Sequence, residues 1–474
     1  MGTKTLFARS AIVCLVAASM VRAADDGLQL PLLPPATTVQ LPSFGINIDA
    51  DGVLDVRARA AVDPQLVAER WAAARAARPG NLFAASKLRK VSLVRLERDL
   101  KRLLATGAAP DEAMKNLAGL TRLHYIFCYP PQGEQPGDVI IAGAAEPFVT
   151  DASGRVVGLL TGRPALQLED FAVALRAFAP GGRDRPRLGC SIDPPAAGLA
   201  RLIEFQRTIP RNIPQSEQTA RGAQIAEGVA ASLGQAEIRV FGLPATTHFA
   251  QVLVEADYRM KRIGIGLEAP PVRMTTFVEA LQAPPQGLLG RWWFVPDYRC
   301  VRLSDDHLAA ELVGQGLQLL GEDKTIRADG SLADTGNRPS KASEIFTLGF
   351  TRKYPQIAAA SPVYAQLRSL VDLAVAGAVL RRHDFYARAG WQADALRDEM
   401  SLPLETRDTP RSVACVVNSL WKGNRLLVPA GGGVSIEPDE ALEAKNLLPD
   451  TGGAVDKLRQ ALSPAPAAAT WWWD

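Results

Sequence analysis

Apolar and polar residues alternate along this chain with two periods, and the change from one to the other sets the elements it predicts. After Ser92 the leucines at 93, 96, 100 and 103 form one stripe of a helix that stops at Gly107, and a short helix follows over 110–118. RLHYIFCY (122–129) alternates as a strand, and DVIIAG (138–143) reads as a buried one. Two stretches share a hairpin design, INIDADGVLDVRA (46–58) around Asp51-Gly52 and PFVTDASGRVVGLL (147–160) around Ser153-Gly154. Strands and helices alternate next. RLGCSID (187–193) leads through Pro194-Pro195 into a helix, and residues 216–233 form another, closed by Gly234. EIRVFGL (237–243) leads into a third helix, from Thr247 to Ile263, with Phe249, Leu253, Ala256, Met260 and Ile263 on one stripe. Its Glu255–Arg259 and Asp257–Lys261 pairs stand acid-first at i,i+4, the stabilising order on a helix.

Past 286 the texture changes. GRWWFVPDYRCVRL and HLAAELVGQGLQLLGED read as short strands joined by glycine turns, followed by helices over 340–358 and 361–381. RSVACVVNSLW, a Lys-Gly-Asn turn, RLLVPA and GGGVSIE return to strands, with the glycines of 431–433 as a flexible turn. The expected fold class is therefore α/β and α+β. A mixed sheet with βα units fills 45–285, and a smaller α+β domain fills 286–462. A tail, 463–474, is disordered apart from Trp471, Trp472 and Trp473.

The N-terminus adds a location. Lys4 and Arg9 precede an apolar run over 11–21, and Val21 and Ala23 place small residues at a signal-peptidase site. Residues 1–23 are read as a signal peptide cut between Ala23 and Ala24, with a proline-rich leading segment over 24–44. The mature chain is expected to be soluble, periplasmic or secreted, without a transmembrane segment. A net charge of +3, with 47% hydrophobic and 22% charged residues, describes a globular protein and gives no reason to expect nucleic acid as a partner. Cys128, Cys190, Cys300 and Cys415 remain after cleavage. Their wide spacing fixes no disulfide pairing and matches no zinc pattern.

LRKVSLVRLE (88–97), LAGLTRLHYIFCYP (117–130), DVIIAGAAEPF (138–148), LGCSIDP (188–194) and VLVEADYRMKRIGIGLE (252–268) resemble a family of exported bacterial proteins of planctomycete type. RWWFVPDY, the run from Pro362 to Ala374, and GGGVSI resemble its C-terminal half. The resemblance covers nearly the whole mature chain and is most specific in EADYRMK. That family is a domain of unknown function, so the resemblance implies export and one architecture, and no activity.

Candidate chemistry is sparse. Asn47, Asp49, Asp51, Gly52 and Asp55 fall at EF-hand-like places, but Ala58 stands where the bidentate glutamate belongs, which favours a hairpin over a calcium loop. Lys87, Arg89, Lys90, Arg95, Arg98, Lys101 and Arg102 read as the solvated face of a helix rather than a dock for anionic glycans or lipids. Trp292 and Trp293 must face opposite sides of a strand, so they form no flat carbohydrate platform. Pro429-Ala430-Gly431-Gly432-Gly433 lacks the lysine and helix of a phosphate loop. His124 with Cys128 is a weak nucleophile–base pair. No motif requires a cofactor. The expected ligand site lies where EIRVFGL ends, with Thr246, Thr247 and His248 at a helix N-terminus and Ser191 and Asp193 across the same crevice. The expected function is a non-catalytic binding or assembly component for an unknown small molecule or cell-envelope partner. The alternative is a hydrolase at the strand ends.

Overall fold

The first pair of strands shows how local sequence shapes this fold. β1 (Phe44–Ile48) and β2 (Val53–Ala58) pair antiparallel from Phe44↔Ala58 to Ile48↔Leu54. Only Gly52 of the expected Asp51-Gly52 turn has positive φ, at +78°. The turn is therefore not a mirror-image type I′. The Gly52 N–H bonds the Asp49 carbonyl at 2.9 Å and the Asp49 N–H bonds Val53 O at 3.1 Å, a three-residue loop with a glycine bulge. Asp49 Oδ1 accepts the N–H groups of Asp51 at 3.0 Å and Val53 at 2.9 Å, which explains the aspartate there without a cation.

The structure is a computed structural model that describes residues 44–58, 84–151, 153–210, 213–214, 216–282, 288–334, 339–420, 426–462 and 470–474, with scattered positions between 65 and 82. The expected signal peptide with its cut after Ala23, most of the leading segment and the turn at 422–424 lie outside them.

The chain runs on through β3 (Ser86–Ser92), α1 (Leu93–Ala105), β4 (Tyr125–Tyr129), β5 (Asp138–Ala145), β6 (Phe148–Thr150), β7 (Val156–Gly158) and α2 (Leu168–Ala177). Next come β8 (Leu188–Asp193), α3 (Ala196–Thr208), α4 (Gln218–Leu233), β9 (Gln235–Phe241) and α5 (His248–Gly264). β10 (Leu288–Pro296), β11 (Val301–Leu303), β12 (Ala309–Leu312), β13 (Leu317–Gly321), β14 (Lys324–Ile326) and β15 (Leu332–Asp334) precede the long helices α6 (Lys341–Ala360) and α7 (Pro362–Arg382). β16 (Ser412–Ala414), β17 (Val417–Leu420), β18 (Leu426–Ile436), β19 (Leu448–Pro449), α8 (Ala454–Leu462) and β20 (Trp472–Trp473) complete the described chain.

Two mixed sheets organise these elements. One follows the order β1-β2-β16-β9-β8-β18-β10-β14-β15, with β13 beside β10 and β17 beside β18; the other follows β19-β11-β12-β4-β5-β3-β20. β6 and β7 form a separate hairpin, as their Ser153-Gly154 turn predicts. The helices and mixed sheets bear out the α+β character of the chain.

The division expected at 285 is crossed by both sheets. β8, from the first half, pairs β18, from the second, and β4 pairs β12. The composition change there reflects shorter strands rather than a separate core. The βα units form, β8 leading into α3 and β9 into α5, but β8 pairs antiparallel to both β9 and β18. The glycines of 431–433 form no flexible turn. They lie inside β18, where a side chain at Gly432 would run into the backbone of Trp292 on β10.

Side chains confirm the period-2 reading of the tryptophans. Trp292 is fully buried between Phe277 and Phe346, with its indole N–H 3.1 Å from Ser343 Oγ, while Trp293 points the other way to Glu322 at 3.0 Å. The basic run divides. Lys87, Arg89 and Lys90 belong to β3, Arg89 is buried, and only Arg95, Arg98, Lys101 and Arg102 ride on α1.

α5 and α7 pass through the middle of the core. α7 is the one described helix long and apolar enough to cross a membrane by length and composition, against the sequence expectation, and its apolar window is fully buried inside the protein. On α5 the pairs read as surface support are buried. Lys261 and Asp257 are both fully buried, with Nζ 2.5 Å from Asp257 Oδ2, 2.9 Å from Ile192 O and 3.0 Å from Gly432 O. One ammonium thus ties a helix to two strands.

Candidate binding site

The five residues singled out from the sequence fall in two places. β8 and β9 run antiparallel, so Asp193 lies beside Glu237 at the start of β9, while the end of β9 at Phe241 lies beside Gly189. Thr246, Thr247 and His248 follow that end, at the opposite edge of the sheet from Ser191 and Asp193. A shared crevice needs parallel strands, and the pairing removes it.

Each of these residues also has local work. Thr247 caps α5, accepting the Ala250 N–H at 3.2 Å and donating to Pro244 O at 2.8 Å. Thr246 gives its carbonyl to the Arg407 N–H at 2.8 Å. Asp193 holds Arg291 through two contacts of 3.1 Å and accepts the Gly432 N–H at 3.1 Å. Ser191 sits half-buried in β8 opposite Gly433 and Arg239.

His248 is buried against Asp170, with Nδ1 2.9 Å from Oδ2, and its Nε2 faces the Gln366 amide nitrogen at 3.3 Å. With Nδ1–H donating to Asp170, Nε2 accepts from Gln366, whose own oxygen accepts from Arg155 Nε at 2.9 Å. Burial pulls the imidazole pKa down, but the Asp170 charge and hydrogen bond, with the Glu169 charge, outweigh it and raise it overall. Both ring nitrogens are engaged by protein groups. The partners Asp170 and Gln366 lie far away in sequence, with no local signal to announce them.

Beside this network a shallow polar cleft is lined by Asp49, Gly52, Arg407, Asp408, Thr409 and Arg411. Arg407 is held there by Glu169 at 2.8 Å and Glu405 at 3.0 Å. Two guanidiniums face two carboxylates in this lining, so it concentrates no charge of either sign.

A different cluster of charged side chains does. α7 is apolar on nearly every face, yet it carries Arg368 and Asp372 one turn apart. Arg122, just before β4, places Nε 3.3 Å from Asp372 and gives Nη2 to Gly314 O at 2.6 Å. Arg368 is only 7% exposed, its Nε is sealed from solvent without a hydrogen-bond partner, and the Asp372 carboxylate acts on its charge from one turn away. Burial and then the charge of Arg122 pull its pKa below the usual arginine range. His124 is pushed down to about 4 by burial and by the charges of Arg122, Arg368 and Arg163. It is neutral at physiological pH. Two guanidiniums, Arg122 and Arg368, therefore act on the Asp372 carboxylate, whose own pKa burial raises.

A buried cation with an unmet hydrogen bond is costly, and native proteins rarely leave one. A planar guanidinium in that state suits a carboxylate or phosphate, which it grips through two parallel hydrogen bonds. Sequence reasoning missed this site. The available signal was a pair of opposite charges in a helix that has no polar face.

The remaining reactive groups are quiet. The four described cysteines are free, and burial pushes Cys128, Cys300 and Cys415 up to about 12 and Cys190 well above its ordinary range. A thiol near 12 beside an imidazole near 4 does not make an ion pair at neutral pH, which disposes of Cys128 with His124 as nucleophile and base. Among the described residues no group of three His, Cys, Asp or Glu side chains is placed to hold a metal ion.

Comparison with known proteins adds one match. The family described as "Protein of unknown function (DUF1598)" matches residues 190–277, from within β8 to the residue after Thr276. Part of this chain is thus a domain of unknown function. The match contains Asp193, His248 and the Asp257–Lys261 pair, but neither Arg122 nor Arg368. No curated protein and no solved structure matches the chain.

Proposed function

We propose that this chain is an exported, non-catalytic binding or assembly component of the periplasm or cell surface, and that Arg368 and Arg122 hold a carboxylate or phosphate group of its ligand. The observation that carries the reading is the buried Arg368, whose Nε is sealed from solvent without a hydrogen-bond partner. Export rests on Lys4, Arg9 and the small residues at Val21 and Ala23, and on the resemblance to planctomycete-type exported proteins along the mature chain. The ligand is a small molecule or an envelope partner bearing one such anionic group.

The non-catalytic reading is supported by the state of the usual catalytic groups. The thiols are held protonated, His124 is held neutral, and His248 spends both nitrogens on Asp170 and Gln366. The runner-up, a hydrolase, draws on the Asp170–His248 pair, since a carboxylate-oriented imidazole is the usual base of such enzymes. It lacks a nucleophile where Gln366 stands.

The test compares the wild type with Arg368→Met in thermal melts against phosphate, acetate and citrate. Selective binding to the native state raises the wild-type melting temperature. The variant is expected to lose that rise while melting at or above the ligand-free wild type. A destabilised Arg368→Met with an unchanged anion response would make Arg368 structural and overturn the proposal.

A further inference from the structure

Residues 470–474 are not a loose tail. Trp472 and Trp473 form β20 against the edge of β3, in antiparallel register with Val91 and Lys90. The Ser92 N–H bonds Trp471 O at 2.8 Å, and Trp471 and Trp472 are buried. Beneath them lies Arg89, fully buried, its guanidinium 4.6 Å from the centre of the Trp472 ring. Its Nε and Nη2 meet the two Asp474 carboxylate oxygens at 2.8 and 2.9 Å. Nη1 bonds Ala118 O at 2.8 Å and Nη2 also reaches Ala84 O at 3.1 Å.

This arrangement has the parts of a strand-addition site. A sheet edge supplies main-chain pairing, buried sites take indoles, and a fixed arginine reads a carboxylate two residues beyond the indole it stacks on, Trp472. The two carbonyls hold Arg89 in place before any ligand arrives. The described occupant, residues 470–474, is joined to α8 through SPAPAAA (463–469). Without it, β3 would present an open edge and Arg89 would be a buried cation without its carboxylate.

We infer that the β3 edge with Arg89 is a recognition groove for extended Trp-Trp-x-Asp-like segments, and that residues 470–474 are its resident ligand, displaced in trans by a partner protein carrying the same chemistry. The groove is separate from the Arg368 cluster and goes beyond the function proposed for it. A short tether gives the resident segment a high effective concentration, so an incoming segment succeeds when the resident one is weakened or when it brings further contacts.

The test uses the full chain and a fluorescent peptide, Thr-Trp-Trp-Trp-Asp, read by anisotropy. The double variant Trp472→Ala, Asp474→Ala empties the groove, and Asp474→Asn, at a half-exposed side chain, weakens the hold while leaving the indoles in place. Both are expected to bind the peptide at least roughly tenfold more tightly than the wild type, and a peptide ending in Asn at least tenfold more weakly, the scale of one charge-assisted contact. Equal binding to wild type and Asp474→Asn, or equal affinity for the Asp and Asn peptides, would overturn the inference. The anion melts of Arg368→Met are unaffected by either result.

Discussion

Two buried cations on two buried helices have opposite surroundings. Lys261 on α5 is saturated, with Asp257 and two strand carbonyls around its ammonium. Arg368 on α7 is nearly as deep, and its Nε has no hydrogen-bond partner. Desolvating either charge is expensive. In the first case protein groups offset that cost and join α5 to β8 and β18. In the second the charge of Asp372, one turn away, offsets part of it, and the buried Nε is left without a hydrogen bond. Burial alone does not separate architecture from function; the presence or lack of partners does.

The largest effect that would sharpen this contrast is expected at the saturated site. Lys261→Met leaves Asp257 and two carbonyls without their donor, and should lower unfolding free energy by about 3–5 kcal/mol in urea melts. Adding Asp257→Leu should recover part of it, since the uncompensated carboxylate goes too. A loss below about 1 kcal/mol for the single change would show that Lys261 ties nothing together.

The next effect is one of pH. Burial raises Asp257 to about 6 against the pull of Lys261. Between its unfolded pKa of about 4 and that value the native state binds more protons than the unfolded chain, so this group's contribution to stability falls as pH rises through the window and is flat above it. The change is about 3 kcal/mol for two units. Asp257→Asn should flatten that part of the profile, and an unaltered slope would count against the assignment.

A smaller effect is expected at Asp372. Asp372→Asn removes the single carboxylate beside Arg122 and should lower stability by about 1–2 kcal/mol. The same variant should show a larger anion-induced rise in melting temperature, because one competing charge has gone. A smaller rise would place the ligand elsewhere.

Much of the local structure was legible. Ser92 and Thr247 cap the helices their positions announced, Gly234 closes α4 with φ of +69°, and both predicted hairpins form. Pairing between distant strands was not legible, because β8 and β9 look the same in sequence whether parallel or antiparallel. That ambiguity produced the false crevice joining Asp193 to His248. Asp257 and Lys261 look like a surface pair because i,i+4 spacing is blind to burial. β18 hid behind its glycines, since their role is to let Trp292 approach. The Trp471–Trp473 segment kept its role hidden because its partner, Arg89, lies at the other end of the chain.

The most direct test of the central claim is the unfolding free energy of Arg368→Met in buffer free of carboxylate and phosphate. A buried charge with an unmet hydrogen bond, replaced by an apolar side chain of similar length, should leave stability unchanged or raise it by about 1 kcal/mol or more, a binding site's cost removed. A loss of about 2 kcal/mol or more would mean that Arg368 is satisfied within the protein, and would contradict the account.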